Sequence, residues 1–208
     1  MTTFCYACAV STAEQPYHHG SLRQVLLARA ESTLEKDGVD GLSLRQLARE
    51  AGVSHAAPSK HFRDRQALLD ALAESGFRRL TAALERAVDQ ADPHARSRFA
   101  ALADAYVTFA LAHRELLALM YGSKHAPGAA AELVDAGRAA MDLTVRIVAD
   151  AQASDEIGPG DASRIALVAF ATFHGIATLA AGGMLEDAPV DEVVTAASDT
   201  FWRGLARA

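Results

Sequence analysis

Apolar residues recur along most of this chain three or four positions apart, the spacing of one face of an α-helix. The first stripe is Leu22, Val25, Leu26, Ala30, Thr33 and Leu34, and Gly38 ends it. Ser21-Leu-Arg-Gln24 and Ser43-Leu-Arg-Gln46 each fit a capping box, in which the glutamine can reach back to the N–H of its serine. The second box predicts a helix through Leu44, Leu47 and Ala48 that stops at Gly52, and Ser54 predicts the start of a short third helix. Asp64 is placed to cap a long fourth helix, with Leu68, Leu69, Leu72, Phe77, Leu80, Leu84 and Val88 on one side. Asp92-Pro93 predicts the start of a fifth, striped by Phe99, Leu102, Tyr106 and Phe109. A short sixth is expected over 114–121, and a seventh through Leu133, Gly137, Met141, Val145 and Val148. Asp161 opens an eighth that is apolar almost all round from Ile165 to Ala181, as in a helix buried on several sides or set in a subunit interface. The ninth starts near Val190 and carries Val193, Val194, Ala197, Phe201 and Leu205. No run alternates as a strand does. The expected fold is all-α with about nine helices. Residues 1–19 show no period and read as a tail, which leaves a small head over 20–66 and a larger helical body over 67–208.

Half of the 208 residues are hydrophobic, enough for a sizeable core. No apolar run reaches the roughly 18 residues that span a bilayer, and the N-terminus lacks the basic and apolar regions of a secretory signal. A cytoplasmic protein without a membrane partner is expected. The net charge of −6 argues at first against nucleic acid. Its distribution reverses that reading: residues 43–65 hold Arg45, Arg49, Lys60, Arg63 and Arg65 against Glu50 and Asp64 only. One basic segment in an acidic chain suits a protein that meets phosphate with one part of its surface. Cys5 and Cys8 form a lone C-Y-A-C, which could be a redox pair or half of a zinc site. No second cysteine pair and no βαβ pattern accompany it, so neither metal nor cofactor is expected.

The chemistry is clearest in residues 43–62. Ala48 is small where two helices would cross, Gly52 can turn the chain through the left-handed conformation, and Val53 can plug the gap. Helix, glycine turn and basic helix are the geometry that sets a second helix into a DNA major groove. Pro58 is out of place in a helix, yet the one N–H it removes would have bonded near the Ser54 carbonyl.

The stretch S-L-R-Q-L-A-R-E-A-G-V-S-H-A-A-P-S-K-H-F-R-D-R-Q-A-L-L resembles the N-terminal DNA-binding domain of the TetR family of transcriptional regulators. The His-Ala-Ala-Pro form resembles one branch, often with a C-terminal domain named for a Trp-His-Gly signature. Phe173-His174-Gly175 matches two of those three residues, and Tyr106–His113 and Leu119–Gly122 are similar to that domain. The resemblance implies a homodimeric repressor, less often an activator, released from double-stranded operator DNA by a small effector. Ser43 and the free N–H groups behind it can hold a phosphate, and Arg45 is expected at a phosphate or groove edge. Ser54 opens the reading segment. His55, Ala56 and Ser59 are expected at base edges, with Lys60 and Arg65 on the DNA backbone. Ser59 departs from the family, which commonly has a tyrosine there.

In the larger part no nucleophile motif is present, and no enzyme activity is expected. The resemblance implies an apolar effector cavity. Phe99, Tyr106, Phe109, Met120, Tyr121, Met141, Phe170, Phe173 and His174 are its candidates, fit for a hydrophobic ligand of moderate size. The last two helices are expected to pair with their copies. Ala166, Ala169, Ala177 and Ala180 would allow close approach, and Phe201 and Trp202 would supply buried area. The alternative reading is an all-α small-molecule-binding protein, or a thiol sensor using Cys5 and Cys8, with little or no DNA binding.

Overall fold

The computed structural model describes residues 19–206 of the chain, with side chains from Leu22 onward; Cys5 and Cys8 lie outside the described residues. Eight α-helices are found among them: α1 His19–Asp37, α2 Leu44–Glu50, α3 Arg65–Gln90, α4 Ala95–Ala112, α5 Arg114–Lys124, α6 Ala131–Ala153, α7 Ala162–Ala181 and α8 Val190–Leu205. No strand occurs among the described residues.

The expected short third helix is the one that does not form. From Ser54 the chain makes a run of turns and then a single 3-10 turn, Pro58–Lys60. The reason is local. Pro58 has no N–H to offer the Ser54 carbonyl, so that carbonyl accepts from Ala57 instead, at 2.9 Å. The tighter pattern continues with Lys60 to Ala57 and His61 to Pro58, and only Phe62 reaches back four residues, to Pro58.

Capping residues explain several boundaries. The Asp64 carboxylate accepts the Ala67 N–H at 2.8 Å and starts α3. Asp161 accepts from Ser163 and Arg164 and starts α7. The two capping boxes fare differently. Ser43 occupies the cap position of α2 in extended backbone but makes no side-chain cap bond, and Gln46 bonds Glu50 rather than reaching back. Ser21 falls inside α1, which begins two residues earlier.

The head is built from α1, α2 and the start of α3 around Leu26, Leu34, Leu42, Leu47, Phe62 and Leu68, all nearly or fully buried. Burial of such side chains is worth about 1.5–3 kcal/mol each. The spine of the body is α3, which packs against α4, α5 and α6; α7 and α8 close the other side of α4. Helix α3 also belongs to the head, so one unbroken helix crosses the expected boundary at residue 66. A second head contact runs from α1 to α5. The crossing of α3 and α5 is close because residue 76 is glycine: a Cβ there would stand 2.6 Å from the Met120 sulfur. Helix α7 has the length and hydropathy to cross a membrane, but it packs on α4, α6 and α8.

Candidate nucleic-acid interface and buried cavity

The turn after α2 is a Schellman closure. Gly52 has φ +67°, the Val53 N–H bonds the Ala48 carbonyl at 3.0 Å, and the Gly52 N–H bonds that of Arg49 at 3.2 Å. Half-buried Val53 packs on the hydrophobic core, as do Leu44 and Ala51. Pro58 is buried beneath the segment that follows, while Ser54, His55, Ala56, Ser59 and Lys60 are exposed on it. Ser43 and Arg45 are exposed at the start of α2. A proline-anchored segment thus presents small, polar and cationic side chains to solvent.

Arg65 has another use. Its Nε donates to the Leu42 carbonyl at 3.0 Å and its Nη2 to the Val39 carbonyl at 2.5 Å, with Asp40 3.9 Å away. The guanidinium, expected on a phosphate, also ties the turn before α2 to the start of α3 and stays half-exposed. Arg23 lies over the Phe62 ring at 5.6 Å from the same head.

A cavity of about 200 Å³ lies in the body between α3, α4, α5, α6 and α7. Five of the expected contacts line it: Tyr106, Tyr121, Met141, Phe170 and Phe173. His174 stands behind this wall, its Nδ1 2.8 Å from the Tyr106 hydroxyl. Burial pushes the Tyr106 hydroxyl far above the ordinary phenol range, with Tyr121 beside it adding to the effect. Burial likewise raises Tyr121 and lowers His174, which favours a neutral imidazole beside the Tyr106 hydroxyl. Tyr106, Tyr121, Phe170 and His174 form one aromatic cluster with ring centres 5.2–6.3 Å apart.

Three expected contacts are placed elsewhere. Phe99 stacks on Phe201 at 5.2 Å and packs against Phe173 and Trp202 where α4, α7 and α8 meet. Phe109 packs on His113 at 4.7 Å. Met120 is fully buried in the notch left by Gly76. Cavity residues that were not among the expected contacts include Leu84, Leu102, Lys124, His125, Thr144 and Leu167. Lys124 reads as an ordinary helix-end lysine; the one signal for it was glycine at position 137 on an otherwise apolar stripe.

Comparison with known proteins settles the kinship. Residues 26–72 match the family described as bacterial regulatory proteins, tetR family, and residues 99–201 match the tetracyclin repressor-like C-terminal domain. The tetracycline repressor protein class A from transposon 1721 of Escherichia coli is 30% identical over 185 residues, covering 85% of this chain and 79% of the repressor. The chain belongs to the TetR family. Among solved structures, a protein of unknown function from Rhodococcus sp. RHA1 is 88% identical, with a TM-score of 0.89 over 93% of this chain and all of that one. The TetR family transcriptional regulator PfmR from Thermus thermophilus shares the fold at 19% identity, with a TM-score of 0.67 over 88% of this chain and 99% of that one.

This TetR-family chain is therefore a transcription regulator with a helix-turn-helix DNA-binding domain, and the Phe173-His174-Gly175 triplet lies inside the matched C-terminal segment. Its outer surface differs from the sequence expectation. Ala166, Ala169 and Ala177 are buried within the protomer, and Ala169 lines the cavity. Trp202 is also buried, in the aromatic stack beneath α8. Only Ala180 and Phe201 of the expected interface set remain partly open. The large apolar side chains turned outward are Leu167 at 56% exposure, Val168 at 52%, Leu179 at 42% and Met184 at 58%. The inner side of α7 carries Ala166, Ala169, Phe173 and Ala177.

Where head meets body, Arg79 of α3 bonds Glu31 of α1 through Nη1 and His113 Nε2 through Nη2 at 3.2 Å. An Nε2 that accepts needs its proton on Nδ1, and Nδ1 faces Glu31 at 3.6 Å. His113 is the joint between α4 and α5, with φ −134° and ψ 54°.

Proposed function

We propose that this regulator is a homodimeric repressor that binds a near-palindromic operator and is released by a small, largely hydrophobic effector. The observation that carries the reading is the continuity of α3. Its first turn is fastened to the DNA-reading head by Arg65, and its later turns wall the cavity at Leu84. The dimer would use the outward apolar side of α7 with α8, setting two reading segments about one DNA turn, ~34 Å, apart. Exposed Ser43 and Arg45 meet phosphate, while His55, Ala56 and Ser59 face base edges and Lys60 fixes register. The Glu31–Arg79–His113 cluster joins α1, α3 and the α4–α5 joint, so a shift of the cavity wall reaches the head through two routes. Linkage requires the effector to prefer the form that misfits DNA, and DNA to weaken effector binding by the same factor. The regulator acts in the cytoplasm.

Fluorescence anisotropy on DNA flanking the gene tests the reading. Lys60→Ala is expected to weaken binding across sequences and to reduce the salt slope by about one. Arg65→Ala is expected to lower the melting temperature as well, because its guanidinium holds the head together. Binding without sequence preference, or a salt slope unmoved by Lys60→Ala, overturns the proposal.

A further inference from the structure

Among the described residues, Lys124 is the one side chain with a full cationic charge on the cavity wall, and no aspartate or glutamate lines it. The lysine is half-buried at the end of α5. Its ammonium donates to the Gly137 carbonyl at 3.1 Å and lies 5.6 Å from the centre of the Phe77 ring. No carboxylate forms an ion pair with it among the described residues; Asp142 acts on it at longer range and Arg138 opposes that. A half-desolvated cation holding a single carbonyl keeps donor capacity in hand, since an ammonium has three N–H groups.

Its place is made by glycine. A Cβ at residue 137 would stand 2.6 Å from the Lys124 Cδ, 2.9 Å from Cε and 3.1 Å from Nζ. Gly137 is buried in α6, where glycine costs helix stability of about 0.5–1 kcal/mol relative to alanine. The missing side chain is the groove in which the lysine stem lies, so α6 is shaped to bring a charge to an apolar wall. Burial lowers the ammonium from the ordinary lysine range, and an anion at its side would restore it.

Size and wall chemistry narrow the occupant. An apolar cavity of ~150 Å³ accepts benzene; at about 200 Å³ this one has room for a single ring with a short arm. Tyr106, Tyr121, Phe170 and Phe173 supply ring faces and edges. We infer that the ligand is a monoanionic single-ring aromatic acid, its ring among these four residues and its carboxylate on the Lys124 ammonium. The inference rests on the cavity being the effector site and adds the ligand's charge and shape.

Isothermal titration of the full-length protein with phenylacetate and its neutral isostere phenylacetamide tests it. A charge-assisted hydrogen bond in a partly desolvated site predicts that the acid binds roughly 10- to 100-fold tighter than the amide. Lys124→Met keeps an apolar stem of similar length and is expected to bring the two ligands within about threefold of each other. Gly137→Ala is expected to do the same by displacing the stem, with the helix intact by circular dichroism. An amide that binds the parent as tightly as the acid, an acid preference that survives Lys124→Met, or no binding of either at millimolar concentration overturns the inference. The effector reading fails separately: a Lys124-dependent acid that leaves operator affinity unmoved supports the ligand class and overturns its regulatory role.

Discussion

Replacing Gly52 by alanine isolates the turn that aims the segment proposed to read DNA. Its φ is +67° and a Cβ built there meets nothing within 4 Å, so the cost is purely conformational. An L-residue in the left-handed region costs about 1–2 kcal/mol. Alanine's lower unfolded-state entropy offsets less than about 1 kcal/mol of that, which leaves a net loss near 1 kcal/mol. For a chain of this size that is roughly 2–4 °C in melting temperature. Gly52→Asn should lose less, because asparagine visits the left-handed region more readily. Gly122→Ala is the control of opposite sign. It sits inside α5 with nothing within 4 Å of its Cβ, and should gain about 0.5–1 kcal/mol. Differential scanning calorimetry reads the stabilities, and anisotropy on operator DNA should show weaker binding for Gly52→Ala than for Gly52→Asn. A Gly52→Ala protein that melts no lower than the parent and binds DNA equally well would refute the view that left-handed closure sets this segment.

Arg79→Met should detach α1 from the body. The pair with Glu31 is partly exposed, so a loss of only about 1 kcal/mol is expected; amide exchange should quicken in the later turns of α1 while α6 and α7 stay protected. His174 is depressed by burial, so its neutral form contributes stability that is full above its unfolded value near 6.5 and fades as pH falls below that. His174→Asn should therefore flatten part of the loss in melting temperature between about pH 7.5 and 5.5, and an unchanged slope would remove the imidazole from that account. Leu179→Glu should convert the proposed dimer to a folded monomer in sedimentation velocity. Ala177→Glu places a carboxylate on the buried side of α7 and should unfold the protein instead, so equal behaviour of the two would contradict the orientation of that helix.

The sequence by itself determined the helical elements, because a 3.6-residue period survives in α3 through α6 and because Asp64, Asp161 and Gly52 mark ends by chemistry that acts within a few residues. It also determined the turn-rich segment after Gly52, whose exposed polar residues and buried Pro58 follow from neighbours in the chain. Even the loss of the short third helix was legible in principle, since a proline without an N–H stands where the first α-helical bond would form. Tertiary structure alone decided the rest. Helix α7 is apolar all round, so its period carries no phase, and only packing on α4 and α6 shows that Ala166, Ala169 and Ala177 face in while Val168 and Leu179 face out. The same holds for the aromatics. Phe99 and Phe170 have the same chemistry, and whether one fills the core or edges a void depends on where helices remote in sequence fail to meet. Arg65 and Lys124 show the limit most plainly: a cation looks solvated in a sequence until the fold brings it a carbonyl from 26 residues back or a glycine groove 13 residues ahead.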